Sequence, residues 1–194
     1  VSRTWGVAVF DQLYATSADP WGYRHSRYEA RKYRATLNAL GKKRFAAAFE
    51  PGCSIGVLTR QLARRCASLL AMDGAQAALQ EARARCRDLP HVAFQRATLP
   101  QAWPRGRRFD LIVLSEMLYF LSPADMRLVA RRARASLRAS GVILLVNYTG
   151  PNNAPQTGTR ASAGFAAACG MRRSGGWRRG QYRMDRFQRG PAAF

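Results

Sequence analysis

The 194-residue chain predicts an α/β fold, with strands and helices alternating around a mostly parallel sheet. Three observations carry that expectation. Short apolar runs at 45–49, 69–72, 111–114 and 142–146 recur with helix-like segments between them. The first run is followed by a glycine-bearing turn, Glu50-Pro-Gly-Cys-Ser-Ile-Gly56. The second is closed by an acid, Asp73, seventeen residues after Gly56. Strand, glycine turn, helix, and a strand ending in an acid form the layout of a nucleotide-binding half-domain. Glycine lets the backbone turn sharply and approach a ligand, and the acid can accept both hydroxyls of a ribose.

Residues 1–27 read as irregular and rich in aromatics (Trp5, Phe10, Tyr14, Trp21, Tyr23), with a turn at Asp19-Pro-Trp-Gly22. Residues 28–40 read as a helix ended by Gly41. Arg24, Arg27, Arg31 and Arg34 recur at helical spacing there and share one face. The first strand is expected at 45–50, a helix at 55–66, the second strand at 69–73, and an alanine-rich helix at 75–86. A third strand follows at 91–94, then a link over 99–108 carrying Pro100, Trp103 and Pro104. Residues 109–114 read as a fully buried fourth strand. Pro123 starts a helix to about residue 139, which Gly141 ends, and 142–147 read as the fifth strand. Beyond a Gly/Pro/Asn-rich loop at 149–158, a short helix at 159–169 and one or two strands within 177–187 are expected. Alternation of this kind implies crossover connections, with ligands binding beyond the carboxyl ends of the strands.

The formal net charge is +21, and nearly all of it is arginine, the lysines being Lys32, Lys42 and Lys43. A nucleic-acid protein gathers its basic residues into a patch or tail, whereas here they are scattered. The charge reads as a compositional bias that still favours nonspecific attraction to polyanions. The apolar runs are too short to span a bilayer. The opening residues, Val1-Ser-Arg-Thr-Trp5, lack the apolar core of a signal peptide. Cys53, Cys66, Cys86 and Cys169 form no close ligand pair, so reduced thiols, no metal and a cytoplasmic location are expected. Oligomeric state is not set by these features.

Taken together, the residues resemble the class I S-adenosylmethionine (SAM)-dependent methyltransferases. The acid and Gly-x-Gly-x-Gly loop of that family match Glu50, Gly52, Ser54 and Gly56, with serine in the middle place. The ribose-binding acid matches Asp73, and the fourth-strand motif matches Phe109-Asp-Leu-Ile-Val-Leu-Ser-Glu-Met-Leu-Tyr-Phe-Leu121. The fifth-strand motif matches Leu137-Arg-Ala-Ser-Gly-Val-Ile-Leu-Leu-Val146. Asp19-Pro-Trp, Tyr28-Glu29 and Ser115-Glu-Met-Leu-Tyr-Phe look more narrowly like the nodulation-protein-S type, whose members N-methylate the amino sugar of a chitooligosaccharide. The resemblance implies a Rossmann-like three-layer α/β sandwich with a mostly parallel sheet. Residues 1–44 would be an N-terminal lid segment and helix, and residues 45–194 the SAM-binding domain, within a single domain overall. Two departures stand out: Pro51 replaces an aliphatic residue and removes a donor, and Thr98 replaces an aspartate that accepts from the adenine amine.

The resemblance assigns SAM contacts to Trp21, Glu50, Gly52, Cys53, Gly56, Asp73, Gly74, Thr98, Leu99 and Ser115. Gly52 and Gly56 would pass the backbone against the methionine part, and Thr98 and Leu99 would line the adenine pocket. Ser115 would sit under the sulfonium. Asp73 has a second reading as a helix cap. Glu116 and Tyr119 are the catalytic candidates on the acceptor side, Glu116 holding or deprotonating an amine, with Asn147 and Tyr148 beyond the fifth strand. Glu116 reads equally as an acid satisfying orphan amides at a helix start. Tyr14, Trp21 and Tyr28 read as a lid over the cofactor or as a staple holding the N-terminal segment to the core. Arg127, Arg131, Arg134 and Arg138 share one solvated helix face, and His25 reads as a surface residue.

The expected activity is methyl transfer from SAM to an amine or hydroxyl of a small molecule, including a sugar-type acceptor. Two alternatives stay open: a nucleic-acid methyltransferase, and a SAM-binding protein without catalysis. The first lacks an Asn-Pro-Pro-Tyr-like signature after the fourth strand, where Ser115-Glu-Met-Leu stands.

Overall fold

The structure is a computed structural model that describes residues 3–190. The opening Val1-Ser2, and the last four residues of the part assigned above to the SAM-binding domain (45–194), lie outside the described residues. Contacts divide the chain into two units: Gly6–Thr98, and the residues from Leu99 onward together with those up to Trp5. The boundary expected at 44/45 falls inside the first unit.

In the Gly6–Thr98 unit the elements are α1 (Val7–Thr16), α2 (Arg27–Ala39), β1 (Phe45–Pro51), α3 (Val57–Ala63), β2 (Cys66–Asp73), α4 (Gln76–Arg85) and β3 (Val92–Arg96). The strands run in the order β3-β2-β1, all parallel. The register sets Pro51 beside Met72 and Asp73 beside Arg96. This places the end of β1 and the acid of β2 at the same carboxyl edge. The α2 helix begins with a Ser26-x-x-Glu29 start, the Ser26 side chain accepting from the Glu29 amide. It ends at Gly41, whose φ is +65°.

Helix α1 corrects the irregular reading of residues 1–27. It has no side-chain N-cap, so the usual start signal is missing. Its packing supplies the order instead: α1 lies on α4, with Phe10 and Tyr14 of one face in an apolar cluster with Ile55, Ala75 and Ala78. The expected helix at 55–66 was too long. It stops at Ala63, and Cys66 already belongs to β2, paired with Phe45.

In the second unit are β4 (Phe109–Ser115), a 3-10 turn (Leu118–Phe120), α5 (Pro123–Ser136), β5 (Leu137–Tyr148), α6 (Gly158–Cys169), β6 (Arg173–Arg179) and β7 (Tyr182–Gln188). The strand order is β4-β5-β7-β6, with β4 and β5 parallel and β7 antiparallel to both β5 and β6. Ser122 caps α5 by accepting from the Asp125 amide, ahead of Pro123.

Helix α5 ends at Ser136, so Gly141 does not terminate it but lies within β5. The strand starts early because Leu137 pairs with Phe109, and the ladder then shifts register before Leu111 pairs with Val142. The non-glycine Ser140 has a φ of +59° inside this irregularity. Arg138 therefore belongs to β5, not to the arginine face of α5. The two final strands form one antiparallel hairpin.

Candidate functional site

The glycine turn is built by the carboxyl end of β1 folding onto its neighbour. The amides of Gly52 and Cys53 both donate to the Met72 carbonyl of β2, at 2.7 and 3.0 Å. The turn then enters the left-handed region at every second residue: Gly52 at φ +75°, Ser54 at +50° and Gly56 at +77°. Gly56 caps α3 and has a second constraint, because a Cβ there would lie 2.9 Å from both Cα and Cβ of Ala82 on α4. Serine in the middle place thus holds the conformation that glycine holds on either side.

Asp73 fastens this turn. Its Oδ2 accepts from the Ser54 amide at 2.8 Å and its Oδ1 from the Ala75 amide at 3.0 Å. Helix α4 has Ala75 as its N-cap residue, without a side-chain cap, so Asp73 braces the turn ahead of the helix. One lone-pair site on each oxygen is used by these amides, which leaves acceptor capacity for two hydroxyls. Gly74 keeps the next position thin: a Cβ there would meet Thr98 Cγ2 at 2.9 Å and Val7 Cγ2 at 3.2 Å. Thr98 is exposed just beyond β3, and the neighbouring Ala97 amide donates to the Asp73 carbonyl at 2.9 Å.

Around the turn, burial pushes every acidic proton toward staying on. Glu50 is 2% exposed. Its pKa is pushed up to about 8 by burial, with Thr59 drawing it back and Asp73 adding a smaller upward push. Its Oε2 is buried without a hydrogen-bond partner, and the Thr59 hydroxyl likewise lacks one of good geometry. Asp73 is pushed up by burial and pulled down by the Ala75, Ser54 and Gly74 amides. Burial raises the Cys53 thiol, then Asp73 and Glu50 raise it further. The Cys53 side chain sits among Ala71 and Leu79, and its amide and carbonyl are both bonded, to the Met72 carbonyl and the Gly56 amide.

The N-terminal aromatics pack beside the turn within the same unit. Tyr14 is 6% exposed, edge-on to Trp21 with centroids 5.6 Å apart, and its hydroxyl is hydrogen-bonded to the Ser54 hydroxyl. Trp21 is half-buried and stacks on Tyr23 at 5.7 Å. This is the arrangement of a staple. Tyr28 lies outside it, exposed, beneath the Lys32 ammonium at 5.3 Å. His25 is exposed, and Arg24 forms an ion pair with Glu81.

In the second unit, Leu99 is buried and Ser115 closes β4 at 9% exposure. Glu116 follows in the left-handed region, φ +56°. Its carboxylate does not cap a helix. Oε2 accepts from the Tyr119 hydroxyl at 2.6 Å and from the Tyr148 amide at 2.9 Å, while its own amide donates to the Val146 carbonyl at 2.8 Å. Glu116 and Tyr119 are thus brought together as expected candidates, tied to the end of β5. Asn147 is fully buried, its Nδ2 donating to Ser162 Oγ at 3.0 Å, so it joins β5 to α6 rather than facing an acceptor.

Sequence reasoning missed the Tyr14–Ser54 bond and the Tyr148 amide as a partner of Glu116. Val7, Phe10 and Tyr14 recur at helical spacing, a signal that could have placed Tyr14 on a buried helix face. No sequence signal announces a backbone amide from a distant strand. Among the described residues, no helix is long and apolar enough to cross a membrane.

The family model of nodulation protein S (NodS) matches residues 11–148. Nodulation protein S of Bradyrhizobium diazoefficiens is 33% identical over 104 residues, 53% of this chain and 49% of that protein. Nodulation protein S of Rhizobium tropici is 30% identical over 125 residues, 63% of this chain and 52% of that protein. The chain spans about half the length of the curated relatives it matches. Among solved structures, a candidate methyltransferase from Pseudomonas syringae is 35% identical with a TM-score of 0.75, over 84% of this chain and 100% of that one. The N-methyltransferase NodS from Bradyrhizobium japonicum, in complex with S-adenosyl-L-homocysteine, has a TM-score of 0.81 at 19% identity, over 94% of this chain and 97% of that one. These likenesses show the Rossmann-like, mostly parallel α/β fold expected from the sequence. With the match running over more than half of its length, the chain belongs to the nodulation protein S (NodS) family.

Proposed function

We propose that this chain is a SAM-dependent methyltransferase acting on an amine or hydroxyl of a small molecule. The observation that carries the reading is the bracing of the left-handed Gly52–Ser54–Gly56 turn by Asp73 through the Ser54 amide, with acceptor capacity to spare on both carboxylate oxygens. That pair of acceptors fits a nucleoside with two ribose hydroxyls. The unpartnered Glu50 oxygen, sealed behind the turn, orients the loop and reaches the cofactor's ammonium group only indirectly. Family membership and the likeness to the Pseudomonas syringae protein support the same reading.

SAM, when bound, supplies a methyl on a sulfonium, an electrophile that needs positioning more than activation. The residues that hold it in this reading are Asp73 on the ribose, Gly52, Cys53, Gly56 and Gly74 as close backbone, Thr98 and Leu99 at the adenine, and Glu50, Trp21 and Ser115 around the rest. Glu116 and Tyr119 act on the acceptor, Glu116 orienting an amine or taking the proton of a hydroxyl. A neutral amine needs only orientation, so a nitrogen acceptor asks least of this pair. Nodulation protein S is an N-methyltransferase in the Bradyrhizobium japonicum structure, which favours a nitrogen acceptor here. Four buried cysteines without disulfides suit a cytoplasmic location.

Titration calorimetry with SAM tests the reading on the intact chain and on Asp73→Ala. Intact protein should bind, and the variant should lose affinity by about a hundredfold or more, since two loop amides and two ribose hydroxyls lose their acceptor. Equal heats from the two proteins would sink it. A labelled-methyl screen over amino sugars, sugar hydroxyls and RNA then sorts the acceptors. Label on RNA alone, with a steep salt dependence, would favour the nucleic-acid alternative.

A further inference from the structure

Ser54 presents a local contradiction. A residue with a Cβ is disfavoured at a φ of +50°, and glycine occupies the same conformation two positions to either side. What serine has and glycine lacks is a hydroxyl, and that hydroxyl is bonded to Tyr14, forty residues earlier in the chain. The Ser54 amide is bonded to Asp73. One residue therefore joins α1, the turn and the acid of β2.

Helix α1 touches the acid from its other side as well. Val7 at its start approaches Gly74, its Cγ2 lying 3.2 Å from where a Gly74 Cβ would be. The two ends of α1 thus bear on Gly74 and Ser54, the residue after Asp73 and the residue that donates to it. A ten-residue helix without a side-chain N-cap is marginal alone. Its order depends on these contacts and on its seat against α4. Burial, then the charge of Asp73, keeps the Tyr14 phenol protonated and able to take part in the bond.

We propose that Tyr14 and Ser54 are positioning residues that couple α1 to the cofactor turn, so that filling the turn and ordering α1 are one event. The coupling rests on the cofactor reading above and adds to it a role for a segment that meets the turn through a hydroxyl pair and the packing of Phe10 and Tyr14 on Ile55. Tyr14 then helps hold the cofactor without needing to contact it.

The test uses the intact chain, S-adenosylhomocysteine as the probe, and the variants Tyr14→Phe, Ser54→Gly and the pair. Calorimetry gives affinity, and amide hydrogen exchange over residues 7–16 reports the order of α1 with and without the probe. In the parent protein the probe should slow exchange in α1. Each single variant should weaken binding by about two- to tenfold, the worth of one hydrogen bond, and abolish the slowing. The pair should bind no worse than either single variant, because both remove the same bond. A merely structural Tyr14 would lower the melting temperature while leaving the affinity and the exchange response intact, and that result overturns the proposal. Tighter binding by Ser54→Gly also overturns it, since serine would then be strain alone. If the parent protein takes up no probe, the cofactor reading itself fails and the coupling with it. Binding without coupling defeats the coupling only.

Discussion

The carboxylates around the glycine turn and the buried carboxylates of the other unit are held in opposite ways. In Gly6–Thr98, Glu50 is sealed in with an unpartnered oxygen and Asp73 carries only backbone amides, and burial raises the pKa of both. In the unit from Leu99 onward, Glu116 is met by a hydroxyl and an amide on one oxygen. Asp185, 1% exposed, is gripped by Arg183 through two hydrogen bonds and by Arg173 through one. Satisfied buried charges hold a fold together, whereas under-satisfied ones store free energy that a ligand can release. Glu29 of the first unit is itself paired, with Lys32 at 2.8 Å, so the contrast points to the glycine turn within that unit rather than to the unit as a whole.

Glu50 offers the largest test of that contrast. Its folded pKa is raised from 4.5 to about 8, so the protonated form is the one the fold prefers. Its stabilising contribution is fully present below pH 4.5, falls as pH rises, and is exhausted above about 8. At about 1.4 kcal/mol per pH unit, the loss is on the order of 5 kcal/mol. Arginine, which supplies nearly all the basic charge, does not titrate in this window. Melting curves at pH 5, 7 and 9 should show a steep decline for the parent protein. Glu50→Gln should flatten most of it, leaving a residue of the same sign from Asp73, whose pKa is also raised. Parallel declines in the two proteins would mean that the Glu50 carboxyl is solvated after all.

A pair of glycines sharpens the comparison at the level of backbone. Gly56 and Gly106 have nearly equal left-handed φ, +77° and +73°. A Cβ at Gly106 meets nothing within 4 Å, whereas one at Gly56 collides with the backbone of α4. Gly106→Ala should therefore lose only the conformational cost, about 1–2 kcal/mol. Gly56→Ala should add overpacking and lose about 2–5 kcal/mol in all, and weaken SAM binding because the turn must move with it. Urea midpoints measure both. Equal losses would show that α4 yields, and that Gly56 is needed for its torsion alone.

The same division explains what could be read from sequence. Glu50, Gly52 and Asp73 were legible because each sits where a strand ends, and strand ends show as apolar runs stopping at glycine or acid, while Gly56 marks the start of the helix that follows. The helix spans failed where tertiary pairing overrode local pattern. Ala67 and Ser68 are exposed and unlike a buried strand, yet β2 begins at Cys66 because Phe45 is there to pair with. Leu137 likewise leaves the helical pattern to pair with Phe109. Helix α1 was missed because its start carries no cap and its stability comes from Tyr14 and Phe10 packing on distant residues. On the acceptor side, Glu116 and Tyr119 were legible as a pair three residues apart, but the Tyr148 amide that fixes Glu116 follows from a left-handed backbone at Glu116 that no composition signals.

The smallest expected effect falls on that pair. Tyr119→Phe removes one hydroxyl from Glu116 and leaves the Tyr148 amide in place. One hydrogen bond whose acceptor keeps another partner is worth about 1 kcal/mol, so the melting temperature should fall by about 2–4 °C for a chain of this size. SAM affinity should not change, since Tyr119 belongs to the acceptor side of the proposed reaction. Methyl transfer should fall by more than the stability loss accounts for, because Glu116 loses the partner that orients it toward an amine. A loss of SAM affinity in Tyr119→Phe would erase the division of labour between the units. An unchanged transfer rate would leave Glu116 and Tyr119 as a structural tie at the end of β5.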